Sequence, residues 1–127
     1  SAPSSFAIKP DYAIAIDVTG TGDVPKAKTK LAIELGKGAA VKIMDRSLIA
    51  TPWVVDMMEK LAKEKDIPMQ REVLPYGGTD AGAMQTSRGG IPVCTLSIPC
   101  RYVHSACEVI DMRDMDAGLK LLQTYFA

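Results

Sequence analysis

The chain is arranged around one stretch, Ile91-Pro92-Val93-Cys94-Thr95-Leu96-Ser97-Ile98. Most of its residues are apolar or β-branched and show no helical period, which is typical of a buried strand. Polar segments flank this stretch. Gly77 to Gly82 precedes it, and the segment that follows holds His104, the only histidine of the chain. The sequence therefore predicts a core strand with candidate functional residues near both of its ends.

Further strands are predicted on both sides of this stretch. They cover 12–18, 69–74 and 108–111, and two short strands lie within 31–44, the second over 39–44. Gly36-Lys37-Gly38 stands between those two short strands. A glycine pair can border an anion, but this one is far short of a phosphate loop and favours a hairpin or a bulge. Residues 1–10 are small and polar and predict a break before the first strand.

Three helices are predicted between and after the strands. Thr51-Pro52 is a typical helix start, with threonine as the N-cap and proline at the first helical position. The apolar residues that follow at helical spacing are Val54, Val55, Met58, Leu61 and Ala62. Thr79 or Asp80 is predicted to cap a short helix that ends at Arg88. The last helix begins near Asp114, and its predicted buried residues are Met115, Leu119, Leu122 and Phe126.

This order of elements predicts the fold class. Strands and helices alternate along the chain, which indicates an α/β fold with a layered, mixed and partly parallel sheet flanked by helices. A length of 127 residues fits one domain. The 15 basic residues balance the 15 acidic ones, so we expect no nucleic-acid partner and no anionic membrane surface. No apolar run approaches the roughly 20 residues that span a bilayer, and no leader pattern opens the chain.

The cysteines and the first residue suggest a location and an origin. Cys94, Cys100 and Cys107 lack the paired spacing of zinc knuckles and are predicted to be buried free thiols. Free thiols suit a reducing compartment, so we expect a soluble, cytoplasmic protein. The chain begins at Ser1 without a methionine. Such a start fits a fragment or a processed product of a longer protein, and the motifs described below favour a fragment.

Asp17 stands near the end of the first predicted strand. Ligands of open α/β sheets gather beyond the carboxyl ends of strands, so this carboxylate is a site candidate, with a cap or turn role as the alternative. The segment Asp17-Val18-Thr19-Gly20-Thr21 resembles the nucleophile motif of the haloacid dehalogenase superfamily, whose aspartate accepts a phosphoryl group. That superfamily also needs an acidic pair for magnesium. Gly77-Gly78-Thr79-Asp80 does not supply it.

Metal-assisted hydrolysis is the competing hypothesis for Asp17. Asp17 and His104 each follow a predicted strand, and they offer one hard oxygen and one imidazole nitrogen, a donor set that suits zinc or cobalt. A catalytic zinc site typically has three protein ligands and one open position. The residues alone therefore predict an incomplete metal site.

A resemblance to a known family rests on five segments in a fixed order. They are Ala15-Ile16-Asp17-Val18-Thr19, Gly22-Asp23-Val24-Pro25, Gly36-Lys37-Gly38, Gly77-Gly78-Thr79-Asp80-Ala81-Gly82, and Ile98-Pro99 with Arg101-Tyr102-Val103-His104-Ser105. This order resembles the tetrahedral aminopeptidases, metallo-aminopeptidases related to glutamyl aminopeptidase, some of which carry an older endoglucanase label. The resemblance implies that residues 1–127 are the C-terminal portion of a zinc-peptidase-like catalytic domain.

The resemblance also implies roles for single residues. Asp17 would be a terminal ligand of one metal ion and His104 of the other, with zinc or cobalt as the two divalent ions. No catalytic residue would lie in this chain, because the general-base glutamate, its neighbouring glutamate and the remaining ligands would precede Ser1, as would the oligomerisation domain. The residues expected to border the peptide substrate are Gly78, Thr79, Asp80, Arg101 and Tyr102.

The resemblance implies a homo-oligomer, with a dodecamer as one form, and a fragment that is inactive alone. A non-catalytic domain that only binds a partner or a metal is the remaining alternative. An α/β sheet is normally covered on both faces, so a fragment is expected to expose apolar surface and to associate.

Overall fold

Five strands form one mixed sheet in the computed structural model, which describes residues 1–127. The strands are β1 (Ala13–Gly20), β2 (Ala39–Met44), β3 (Met69–Val73), β4 (Val93–Arg101) and β5 (Val109–Ile110). Their order is β1-β4-β2-β3, with β5 paired to β4. β1 is parallel to β4 and β2 to β3, whereas β2 and β5 run antiparallel to β4. The predicted layered α/β fold with a partly parallel sheet is confirmed.

Four helices flank the sheet: α1 (Ala2–Ile8), α2 (Pro52–Glu64), α3 (Asp80–Gln85) and α4 (Met112–Tyr125). α2 and α4 pack against each other and against β2 and β4, while α3 packs against β1 and β4 and contacts α1. None of these helices has the length and apolar composition that crossing a bilayer requires.

The central strand is β4, as the sequence predicts. Every residue from Val93 to Cys100 is buried, because β1 and β2 pair with its two edges and helices cover both faces. The strand extends beyond the predicted end at Ile98 and continues to Arg101. Its register with β1 sets Asp17 opposite Ser97. The parallel pair β1 and β4 therefore ends on the same side of the molecule, where the loop with His104 begins.

The two faces of the sheet differ in chemistry. Side chains alternate along each strand, and paired residues on neighbouring strands share a face. The apolar face carries Val41, Leu96 and Ile98 and packs against α2 and α4. The polar face lies on the side of α3, and five of its polar side chains are at most 2% exposed. They are Thr19, Lys42, Glu72, Thr95 and Ser97.

Two predictions near the N-terminus are wrong. The first ten residues are not only a break, because Ala2 to Ile8 form α1, with Pro3 in the first turn where its missing N–H costs nothing. No strand lies between β1 and Gly36, so the hairpin expected around Gly36-Lys37-Gly38 does not form. Instead, the amides of Gly36 and Gly38 donate to the two carboxylate oxygens of Asp114 at 2.8 and 2.7 Å. The glycine pair does border an anion, and that anion is a side chain of α4.

The boundaries of α2 and α3 follow the prediction in part. α2 begins at Pro52 with Thr51 as the N-cap residue, but the Thr51 hydroxyl accepts from the amide of Val93 at 2.9 Å instead of capping the helix. Thr79 is the N-cap residue of α3 and likewise forms no side-chain cap. α3 ends at Gln85, before the predicted Arg88, which adopts a φ of +54°.

The buried side of α4 is not the predicted one. Its fully buried residues are Asp114, Ala117, Gly118 and Leu121. A Cβ at position 118 would lie 3.1 Å from Ile98 Cδ1, so the small residues let α4 approach the sheet closely. The larger apolar residues turn outward: Met115 is 40% exposed, Leu119 54% and Phe126 64%, whereas Leu122 packs partly against the core. With Ile16, which is 63% exposed, Met115 and Leu119 line an apolar groove of about 440 Å³.

The predicted free thiols are present, but they are not all buried. Cys94 and Cys100 are buried and Cys107 is exposed. Burial raises the pKa of Cys94 to about 12, and burial followed by the nearby Glu108 carboxylate raises that of Cys100. The two buried thiols are therefore held in the protonated form at neutral pH and act as small apolar side chains.

Candidate functional site

A pocket of about 390 Å³ lies at the carboxyl ends of β1 and β4. Asp17 and Thr19 border it from β1, and Gly78 and Thr79 border it from the loop before α3. His104 borders it from the loop between β4 and β5. The pocket occupies the place where ligands bind in open α/β sheets, because the loops after parallel strands converge there. The sequence predicted functional residues on these same segments.

Asp17 and His104 are held differently at this pocket. The Asp17 carboxylate accepts a hydrogen bond from the amide of Val18 at 2.8 Å, which fixes it at the end of β1. His104 has a φ of +62°, and Tyr102 has a φ of +59°, a conformation that L residues rarely adopt. The amide of His104 donates to Glu108 Oε1 at 2.6 Å and holds the loop in this shape. Such local strain is concentrated at functional sites.

The donor set at the pocket fits a divalent metal in kind but not in number. One carboxylate and one imidazole line the same cavity, as a zinc or cobalt site requires. No group of three or more His, Cys, Asp or Glu side chains is placed to hold a metal ion. Whether Asp17 and His104 bind a metal ion stays a prediction, because a catalytic zinc site typically has three protein ligands.

The predicted substrate-binding residues divide into two groups. Gly78, Thr79 and Tyr102 line the pocket. Asp80 is the first residue of α3, where a carboxylate is stabilised by the helix dipole, and it does not line the pocket. Arg101 pairs with Asp23 through its Nε at 3.0 and 3.1 Å. Whether any of them contacts substrate stays a prediction.

The pair of Arg101 and Asp23 supports the outer edge of the site. The guanidinium of Arg101, followed by the hydroxyl of Thr21, lowers the pKa of Asp23 to about 2. Thr21 lines the pocket and donates to Asp23 Oδ1 at 2.5 Å. Arg101 thus braces the segment after β1 from its position at the end of β4.

The glycines of the 77–82 segment permit close packing on the turn after β2. A Cβ at Gly78 would lie 2.9 Å from Ser47 Oγ, and one at Gly82 would lie 2.8 Å from Ser47 Cβ. Ser47 in turn donates through its hydroxyl to Asp45 Oδ1 at 2.7 Å. Larger residues at these positions would push the loop away from the turn, so the glycines set the position of one pocket wall.

Asp45 organises that turn from a buried position. Its Oδ1 accepts from the amides of Ser47 and Leu48 at 2.7 and 3.1 Å, and its Oδ2 accepts from the Thr79 hydroxyl at 3.3 Å. Burial acts to raise the pKa of Asp45. The hydrogen bonds from Ser47, the charge of Lys42 and the amide of Leu48 outweigh it and lower the pKa below the usual value.

Sequence reasoning missed the buried charges beneath the pocket. Lys42 Nζ lies 3.1 Å from Glu72 Oε1 and 3.5 Å from Asp45 Oδ2, and all three side chains are at most 1% exposed. The hydroxyl of Thr19 donates to Glu72 Oε1. The signal was a lysine inside the apolar run 39–44 and a glutamate inside 69–74, since charges within predicted core strands need partners. Neither position was singled out from the sequence.

Comparison with known proteins gives a consistent result. The sequence model of the family described as M42 glutamyl aminopeptidase matches residues 1–121. A predicted aminopeptidase of Acetivibrio thermocellus is 46% identical over 119 residues, which cover 94% of this chain and 36% of that protein. The chain thus spans about a third of the length of the relatives it matches.

Solved structures agree with the sequence match. Aminopeptidase APDkam598 from the archaeon Desulfurococcus kamchatkensis superposes with a TM-score of 0.92 at 40% identity, over 98% of this chain and 36% of that one. The Pyrococcus horikoshii TET1 peptidase, which can assemble into a tetrahedron or a large octahedral shell, superposes with a TM-score of 0.78 at 29% identity. That match covers 97% of this chain and 35% of the other.

Proposed function

Because this chain belongs to the M42 glutamyl aminopeptidase family, we propose that it forms the C-terminal portion of the catalytic domain of a metal-dependent aminopeptidase. The observation that carries the proposal is that Asp17 and His104 line the same pocket at the carboxyl ends of the parallel strands β1 and β4. The match to relatives of about three times the length supports a larger whole. The apolar groove beside Ile16 is then a surface that the rest of the domain covers.

The residues of this chain would contribute metal ligands and a substrate wall. Asp17 would bind one of two zinc or cobalt ions through its carboxylate, and His104 would bind the other through its imidazole. When bound, such ions lower the pKa of a water molecule and polarise the peptide carbonyl. The general base would be a glutamate that precedes Ser1 in the complete enzyme. Gly78, Thr79 and Tyr102 would contact the peptide, with Asp80 and Arg101 at its margin.

The assembly and location are proposed from the same resemblance. The TET1 relative can assemble into a tetrahedron or a large octahedral shell, and we propose that the complete protein is likewise a homo-oligomer, with a dodecamer as one form. Its free cysteines suit a cytoplasmic location. Phosphoryl transfer through Asp17 and a purely structural role are not favoured, because the family match and the relatives are aminopeptidases.

Metal titration and peptide hydrolysis test this function together. In the full-length protein that carries this chain, Asp17→Ala and His104→Ala should each weaken zinc and cobalt binding in calorimetry and abolish release of N-terminal residues from peptides. Asp116→Ala, at an exposed position of α4, should change neither. On the 127-residue chain alone, binding should be weak and only partly lost in either variant. Tight binding that His104→Ala abolishes in the chain alone would contradict the proposal.

A further inference from the structure

A buried network of charged and hydroxyl side chains runs beneath the candidate pocket. It links five residues, Thr19, Glu72, Lys42, Asp45 and Thr79, through contacts of at most 3.5 Å. Thr19 lies at the end of β1, and Thr79 lies in the loop before α3. These two residues belong to opposite walls of the pocket, and both line it. The network therefore forms a continuous connection between the walls.

Lys42 is the centre of this connection, and it belongs to the floor of the pocket. Its Nζ is inaccessible to solvent and forms no well-aligned hydrogen bond, although it is ion-paired with both carboxylates. Thr19 and Thr79 line the pocket beside it, and each is bonded to one of the two carboxylates. A bulge in β2 follows Lys42 immediately, since Lys42 pairs with Glu72 but Met44 pairs with Val73. Bulges commonly redirect side chains beside active sites.

The first wall that the network holds carries Asp17. Thr19 and Asp17 are two residues apart on β1, so their side chains leave the same face of the strand. The hydroxyl of Thr19 is fixed by Glu72, which is in turn fixed by Lys42. The second wall carries Thr79 and the glycines before it, and it is fixed by Asp45, the other partner of Lys42. Displacement of the Lys42 ammonium would remove a support that both walls share.

Stability alone does not account for these charges. Taking an ammonium and two carboxylates out of water costs free energy that their attraction only roughly offsets, and apolar side chains of similar volume often stabilise a fold as well or better. A fixed geometry is what an ion pair offers and an apolar pair does not, because its attraction depends on where the charged atoms lie. The network thus favours precise placement of the groups above it.

On the basis of the proposed function, we infer that Lys42 and Glu72 are positioning residues of the peptidase site. They act through Thr19 and Asp45, and they set the distance between the wall that carries Asp17 and the wall that carries Thr79. The ammonium of Lys42 is inaccessible and faces the carboxylates of Glu72 and Asp45, so its effect on substrate and metal ions passes through its partners. Their loss should therefore disturb turnover and metal binding in a protein that remains folded.

The test is a double variant that removes one charge of each sign. Lys42→Met/Glu72→Leu keeps the volume of both side chains and leaves the net charge of the network unchanged, so an altered site cannot be attributed to an altered charge. The matched control is Lys60→Met/Glu64→Leu, which removes an ion pair with an N–O distance of 3.9 Å from the exposed side of α2. Glu72→Gln is the conservative variant, because its amide oxygen still accepts from Thr19 and faces Lys42.

All variants are compared in the full-length protein that carries this chain, well below the thermal midpoint of each. For Lys42→Met/Glu72→Leu we expect kcat for peptide release and the zinc association constant each to fall about 10- to 100-fold, the range for residues that orient metal ligands. KM should change less than kcat. Glu72→Gln and the surface control should stay within about two-fold of the parent protein in both quantities, since neither breaks a contact of the pocket walls.

Two results would overturn the inference. One is a folded double variant whose kcat and zinc affinity match those of the parent protein. The other is a Glu72→Gln variant that loses as much as the double variant. If the parent protein binds zinc but cleaves no peptide, the peptidase proposal fails and the zinc titration still tests the network. If the double variant does not fold, the contrast between Glu72→Leu and Glu72→Gln replaces it, because Asp45 still pairs with Lys42 in both.

Discussion

Both faces of the sheet contain fully buried side chains, but these side chains are stabilised in different ways. On the apolar face, Val41 and Leu96 pack against α2 and α4, and each contributes through the area it removes from water. On the polar face, Lys42 and Glu72 are as inaccessible as Leu96, yet they are held by a specific partner. On the apolar face, neighbouring side chains can repack around a substitution of similar volume. On the polar face, removal of one partner leaves the other charge buried and unpaired.

This contrast between the faces bears on the position of the candidate site. An apolar face tolerates many side chains of similar volume, so it specifies the fold more than the position of any one atom. A buried charged network is satisfied in only a few geometries, and this one joins the two walls of the pocket. The pocket with Asp17 and His104 opens above the polar face, while the apolar face ends in a groove beside Ile16. The variants below are designed to contradict or refine this contrast.

The largest effect is expected from breaking the ion pair on the polar face. Lys42→Met leaves Glu72 and Asp45 without their counter-charge in the protein interior, so it should lower the free energy of unfolding by about 3–5 kcal/mol. Lys42→Met/Glu72→Leu should recover most of this loss, because the double variant also removes the Glu72 carboxylate that Lys42→Met leaves unpaired. Urea unfolding followed by circular dichroism measures both values. A single variant that costs less than about 1 kcal/mol would show that the charges are solvated.

A somewhat smaller effect is expected on the apolar face. Leu96 is 1% exposed and belongs to the main core cluster. Leu96→Ala removes its contacts and leaves a cavity, which should cost about 3 kcal/mol of unfolding free energy. Leu96→Met keeps the volume and should cost less than about 1.5 kcal/mol. The same urea titrations give both values, and equal losses in the two variants would contradict the picture of a tolerant apolar face.

An effect of the opposite sign is expected from the unpaired hydroxyl of the polar face. Ser97 is fully buried between Asp17 of β1 and Ala40 of β2, and its Oγ has no hydrogen-bond partner. Ser97→Ala removes this unsatisfied group and should raise the free energy of unfolding by up to about 1 kcal/mol. Thr95→Val is the matched comparison, since the Thr95 hydroxyl is bonded to that of Thr79 at 3.0 Å and its removal should destabilise. A loss of stability in Ser97→Ala would contradict the assignment.

The smallest effect is expected at the exposed pair that belongs to neither face. Asp23 has a pKa of about 2 in the folded protein, lowered first by Arg101, against about 3.9 in an unfolded chain. Its stabilising contribution is therefore present above pH 4 and is lost as the pH falls towards 2. The difference in thermal midpoint between the parent protein and Asp23→Asn should be small at pH 6, because the side chains of Arg101 and Asp23 are each 39% exposed. This difference should vanish near pH 2. A difference that grows on acidification would contradict this sign.

The elements with a strong local signal were predictable. β4 and α2 follow directly from a β-branched run and from a threonine–proline start with helical spacing. Asp17 and His104 could be selected as site candidates because each follows a strand, and the structure places both at one pocket. α1 was missed because its residues are small and polar. The exposure of Met115 and Leu119 was missed because α4 has two sides with apolar residues at helical spacing. The side that contains Gly118 packs on the sheet, since its small residues allow a close approach.

Residue order and local periodicity are enough to predict the α/β class, the central strand and the family resemblance. They do not predict that Gly36 and Gly38 bind the carboxylate of Asp114 or that Lys42 links Glu72 to Asp45, because these contacts form only in the folded chain. These partners are separated by up to 78 positions along the chain. A charged residue within a predicted core strand indicates that it needs a partner. The identity of that partner depends on strand order and register, which are set by the packing of the whole sheet.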